Sequence, residues 1–161
     1  MLVSEFDALP AGQAERVLGE VCTSPRWVSR LVAARPYGTV DALVAHAAAV
    51  LAALDEAEID RALAGHPRIG ERSAHASSRR EQSGVAAAGA DVLAALAEGN
   101  RAYEERFGHV YLVCANGRPA AELLAVLRSR LGNDPATERH VLRGELGAIN
   151  RLRLERLLED A

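Results

Sequence analysis

The run HVYLVC, residues 109–114, is the one β-type stretch in this chain, and no second run with strand patterning exists to pair with it. A lone strand leaves its ladder groups without partners. A sheet is therefore excluded, and the run is expected as an extended segment ending in the turn signal Asn116-Gly117. The rest of the chain must then bury its apolar surface as helix. The predicted fold is all-α, a compact bundle of about seven to eight helices with one short extended segment near 110–114. With 161 residues, 49% of them apolar, the chain suffices for one domain over 1–161 with a sizeable core and is too short for two ordinary independent ones.

Local signals place the helices. Asp7 followed by Pro10 opens a pattern reaching about Val21, with Leu9, Ala14, Val17, Leu18 and Val21 on one side. Ser24 caps a second helix with Pro25 at its first position, and this one must stop before Pro36. Val40 to Leu54 is apolar nearly all round, which predicts a helix buried on most sides, and His46 within it reads as a core histidine. Asp55 caps the next, from about Glu56 to Ala64, with Gly65 as its left-handed stop. Residues 79 to 107 read as helix, interrupted or bent near Gly89 and Gly99. Pro119 begins another helix through Leu131, and Asn133-Asp134-Pro135 caps a last long one reaching Leu158.

Composition removes several function classes. The net charge of -3 comes without any basic block, so no nucleic-acid partner is expected and a small molecule is. All 19 basic residues are Arg, and without a lysine ammonium neither a Schiff-base enzyme nor a P-loop site can be built. Cys22 and Cys114 lie far apart without a CxxC, which argues against a disulfide framework or structural zinc and leaves core filling as their expected role. No positively charged leader precedes an apolar run, and none approaches membrane-spanning length. The expectation is a soluble, cytoplasmic protein with no membrane partner.

Uncommon chemistry gathers between Gly65 and Gln82, GHPRIGERSAHASSRREQ. Pro67 pushes His66 toward extended geometry, and a histidine on such a corner is a candidate proton donor, with an unperturbed pKa of about 6.5. The alternative is a residue near a helix C-terminus interacting with the dipole. With Ser78 as N-cap, Glu81 completes a capping box; equally, it heads the stripe Val85, Ala88, Val92 and Leu96 and points toward the core. Both readings stay open. Arg153 falls on the stripe Leu142, Leu146, Ile149 and Leu157, where an inward guanidinium needs an anion, and snorkelling is its alternative. Arg130, beyond Leu127 and Leu123, is a weaker case for which snorkelling is favoured. Zinc would need a third ligand beside His66 and His75 at a compatible spacing, and none is present, so no metal is expected.

Taken in order, HPRIG at 66–70, SRREQ at 78–82, Asn100, Tyr103 and Phe107-Gly108, the LVC run at 112–114, Arg130-Leu131 with Asn133, and INRLRL at 149–154 resemble the 2-oxo-4-hydroxy-4-carboxy-5-ureidoimidazoline (OHCU) decarboxylase family. The resemblance spans roughly residues 60–158 and implies an all-helical homodimer that uses no cofactor or metal. It implies conversion of the substrate to (S)-allantoin and carbon dioxide, the step of urate breakdown that follows urate oxidation and hydroxyisourate hydrolysis. Carried over by motif, His66 is the catalytic acid/base, Glu81 its companion, and Arg153 meets the substrate carboxylate with Arg130 in reserve. Pro67, Ser78 and Gln82 shape the ring pocket, and the backbone of Val113, Cys114, Ala115, Asn116 and Gly117 reads the ureido and ring amides. The family commonly has FGFPF where this chain has Phe107-Gly108-His109-Val110-Tyr111, which bears on pocket shape more than on chemistry. Two rivals remain: a catalytically silent helical interaction module, and a hydrolase acting on a related ureide.

Overall fold

The computed structural model describes residues 1–71 and 75–160. The elements in order are α1 (Val3–Ala8), α2 (Ala11–Gly19), α3 (Pro25–Ala33), α4 (Val40–Ala52), α5 (Glu56–Leu63), α6 (Ala76–Glu81), α7 (Ala90–Phe107), α8 (Ala120–Arg130) and α9 (Pro135–Leu157). Among the described residues no strand forms, only an isolated bridge between Leu2 and Glu159. The fold is all-α as expected, and residues 110–115 run outside any helix, with no strand paired to them among the described residues.

The nine helices among the described residues exceed the expected number because α1 forms ahead of the pattern read after Asp7 and Pro10 and because the run 79–107 divides. Pro10 pushes Leu9 to extended backbone, ψ 142, which ends α1 and makes Pro10 the N-cap of α2. The run 79–107 breaks after Glu81. Residues 82–89 turn tightly, with Val85 N–H donating to Gln82 C=O at 2.9 Å and Ala88 N–H to Val85 C=O at 3.0 Å, and α7 starts afresh after Gly89. Gly99 does not interrupt α7; a Cβ there would stand 2.8 Å from Leu127 Cδ2, so its bareness lets α8 approach. Gly65 is not left-handed either. α5 ends in right-handed Ala64, and Gly65 is small because a Cβ would meet Thr23 Cγ2 at 2.5 Å.

The chain divides into two compact units, Met1–Gly65 with Gly147–Ala161, and His66–Leu146. The first buries Phe6, Leu18, Trp27, Leu31, Leu43 and Ile59 completely, and the Trp27 indole N–H finds Ala47 C=O at 3.1 Å. Its buried carboxylate, Glu58, accepts from Ser24 Oγ at 2.7 Å, the main reason its pKa lies below the ordinary range. His46 is half-buried, its ring centroid 5.9 Å from that of Tyr37. The second unit packs α7 along α8 and encloses Leu96, Tyr103, Tyr111, Leu123 and Leu127. No described helix is long and apolar enough to cross a membrane.

Candidate active site

Almost every residue singled out for chemistry lies in the second unit, and most of them sit on irregular backbone that helix hydrogen bonds cannot hold. His66 and Pro67, both half-buried, lead a loop whose next residues are pinned from two sides. Ile69 C=O accepts from Asn100 Nδ2 at 2.8 Å, and Gly70 N–H donates to Gln82 Oε1 at 3.0 Å. Gly70 has φ +94, a conformation that favours glycine, so the sequence supplies the residue this bend requires. Arg68 adds an exposed fork to Glu104, Nε to Oε1 at 2.6 Å and NH2 to Oε2 at 3.1 Å. Ser73, within the stretch from Gly65 to Gln82, lies outside the described residues.

His75, not Ser78, is the N-cap of α6, so the capping box read between Ser78 and Glu81 does not form. Ser78 is instead the third residue of the helix and Glu81 the last; three apart, they share its buried face, 2% and 6% exposed. The stripe drawn from Glu81 through Val85 to Leu96 is not one helix, yet Val85 and Leu96 are buried, because the turns at 82–89 fold Val85 back onto the same core. Ser78 and Gln82 line a cleft of about 520 Å³ with Gly70, Val85 and Leu93.

The extended segment meets this helix end. Glu81 C=O accepts from Gly117 N–H at 2.8 Å, and a Cβ on Gly84 would fall 2.3 Å from Gly117 O. Asn116, φ 43, and Gly117, φ 74, make the left-handed turn that Asn-Gly signals. Upstream, Tyr111 OH donates to Leu123 C=O at 2.9 Å, and Cys114 N–H donates to Glu145 Oε2 at 2.8 Å. Two amides of the segment thus already donate within the protein, those of Cys114 and Gly117. Cys114 is half-buried, whereas Cys22 is a core thiol whose pKa burial pushes up.

Arg130 does not snorkel. It is 5% exposed, its Nε donates to Glu138 Oε1 at 2.7 Å and its NH1 to Leu112 C=O at 2.6 Å, and its guanidinium lies 5.0 Å from the Tyr111 ring centroid. Glu138, fully buried, also takes hydrogen bonds from Tyr103 OH and Asn133 Nδ2. Burial pushes the Glu138 pKa up, but these donors outweigh it and hold the carboxyl below its ordinary value, so the pair is charged. Through Nε and NH1, Arg130 holds Glu138 and the Leu112 carbonyl of the segment. Arg153, which belongs to the first unit, is inward as its stripe predicts, 7% exposed, with NH1 donating to Val21 C=O at 3.1 Å.

Asn100, Glu138, Glu145 and Gly84 were given no role by sequence reasoning. The signals existed for three of them. Asn100 interrupts an apolar helical stripe, Leu96, Tyr103 and Phe107, and Glu138 with Glu145 does the same beside Leu142 and Ile149. Among the described residues, no three His, Cys, Asp or Glu side chains gather as a metal-binding group.

Comparison with known proteins gives these groups a context. A family model described as OHCU decarboxylase matches residues 7–155. The uric acid degradation bifunctional protein TTL of Arabidopsis thaliana is 33% identical over 107 residues, 62% of this chain and 33% of that protein. The 2-oxo-4-hydroxy-4-carboxy-5-ureidoimidazoline decarboxylase of Amia calva is 33% identical over 90 residues, 56% of this chain and 51% of that one. These alignments therefore span a third and about half of the two relatives' lengths. A crystal structure of OHCU decarboxylase in the presence of (S)-allantoin superposes with a TM-score of 0.79 at 26% identity, covering 86% of this chain and 94% of that one.

Proposed function

We propose that this chain, which belongs to the OHCU decarboxylase family, removes carbon dioxide from 2-oxo-4-hydroxy-4-carboxy-5-ureidoimidazoline and protonates the product on one face to give (S)-allantoin. The observation that carries the reading is the joining of the His66 loop to the end of α6 through Gln82 and Gly70, with the 115–118 turn bonded to Glu81 C=O. Three short stretches that hold the family's motif residues are thereby tied into one frame.

Breaking the bond to the carboxylate leaves an electron pair on a ring carbon, where the neighbouring imine-like and carbonyl groups delocalise it. Catalysis then requires that this charge be favoured and that a proton reach one face. His66 as imidazolium delivers that proton and is recharged from solvent. Glu81 orients the imidazole or a ureido N–H, while Pro67, Ser78 and Gln82 shape the ring pocket. Polar backbone groups of Val113 to Gly117 other than the amides of Cys114 and Gly117 and the carbonyl of Ala115, which are bonded within the protein, read the ring and ureido groups. Arg153 is proposed separately as the carboxylate partner, on the strength of its inward guanidinium in the first unit. The reading needs no cofactor, and it extends to a cytoplasmic homodimer whose mass in solution is measurable.

The test is to generate the substrate in place from hydroxyisourate and its hydrolase and to follow optical activity. Formation of (S)-allantoin faster than the spontaneous racemic decay is expected. A racemic product at the spontaneous rate would leave the silent helical module as the better account.

A further inference from the structure

We infer that Asn100 is a positioning residue for the reaction, acting through the loop that carries His66; the inference rests on the role proposed for His66. The C=O of Ile69 and the N–H of Gly70 belong to one planar peptide unit. Asn100 grips the first at 2.8 Å and Gln82 the second at 3.0 Å, so both polar ends of that plane are fixed by carboxamides from two different elements. Between this clamped plane and His66 lie two residues, and one of them, Pro67, has its own φ locked and restricts His66 as well. Few backbone rotations remain by which the imidazole could drift.

The anchor behind the clamp is rigid. Asn100 is 3% exposed and lies between buried Leu96 and Tyr103 on α7. The Arg68–Glu104 fork, one turn further along the same helix, also ties the loop down, but it is exposed and contributes little. The donor end of Asn100 is the one that matters: Oδ1 has no hydrogen-bond partner among the described residues, while Nδ2 meets the carbonyl. The reverse amide orientation would set two acceptors against each other.

This chemistry predicts an effect that packing alone would not. In Asn100→Asp the donor becomes a carboxylate facing Ile69 C=O, which repels it until the acid is protonated and can donate again. At neutral pH the variant should lose kcat by on the order of tenfold to 100-fold with KM little changed. The ratio of variant to parent kcat should then climb as pH falls. Asn100→Ala, measured alongside, should show the loss without the climb. Wild-type kcat in either folded variant, a pH-independent ratio for Asn100→Asp, or failure of both to fold would overturn the inference. NMR titration of the His66 imidazole needs no substrate and so separates the two claims. A His66 signal that moves in Asn100→Asp supports the positioning even if the parent protein proves inactive on the proposed substrate; an unmoved signal refutes it even if the parent is active.

Discussion

α3, α4 and α5 of the first unit each start on a side chain that accepts an N–H three residues on: Ser24 from Trp27, Thr39 from Ala42 and Asp55 from Glu58. In the second unit α7 and α8 start on Gly89 and Pro119, which have no side-chain acceptor to offer, and α6 starts on His75, which does not cap it. What holds the backbone there comes from far along the chain. Asn100 reaches Ile69, Gln82 reaches Gly70, Arg130 reaches Leu112 and Glu145 reaches Cys114. α3, α4 and α5 are thus closed at their starts by a neighbour in sequence, whereas the loops of the second unit are held by side chains from elsewhere on the chain, with α9 the exception, since its Asp134 accepts from Thr137 N–H at 2.9 Å. Groups that must meet a substrate benefit from the second arrangement, because irregular backbone exposes polar atoms that a helix would consume.

The sharpest way to break this contrast is Arg130→Ala. It strands Glu138, fully buried, without its cation and releases the Leu112 carbonyl, so urea unfolding should show a loss of about 3–5 kcal/mol. A loss near that of an exposed salt bridge would mean the buried pair does not hold the segment. Next is Gly84→Ala. Its new Cβ would stand 2.3 Å and 2.4 Å from the carbonyl oxygens of Gly117 and Arg118, both backbone, so the two turns must separate at a cost of about 1–3 kcal/mol. Thr39→Ala removes one local cap from α4 and should cost about 1 kcal/mol in the same assay. The order of the three is the claim: long-range clamps in the second unit outweigh a local cap in the first.

The same contrast decides what could be read from residue order. Ser24 with Pro25, Asp55, and Asn133-Asp134-Pro135 each announce a helix start because the acceptor and the amide it meets are three residues apart. The run 109–114 is legible for a related reason, since the sequence holds no second run with strand patterning to pair with it. Of the two readings of Glu81, the inward side chain is the one that forms, yet the stripe that suggests it is not one helix; the turns at 82–89 bring Val85 to the core by another route. Inward Arg130 could be suspected but not its partner, because Glu138 lies beyond a helix break and no spacing rule connects them. The position of Gly65 after α5 suggests a left-handed stop, but its smallness answers to Thr23, a neighbour in space alone. Recognition of the ordered motifs supplied the chemistry, and it said nothing of how Gln82 and Asn100 share one peptide plane.

The most direct test of the account is the turnover of His66→Asn, followed by optical activity with freshly generated substrate and paired with thermal unfolding. Asparagine keeps a polar side chain at the corner before Pro67 but cannot deliver a proton as an acid. The account predicts that stereospecific formation of (S)-allantoin slows by a factor on the order of 100 or more while the melting temperature is unchanged. Stereospecific turnover at the parent rate in a folded His66→Asn protein would contradict it.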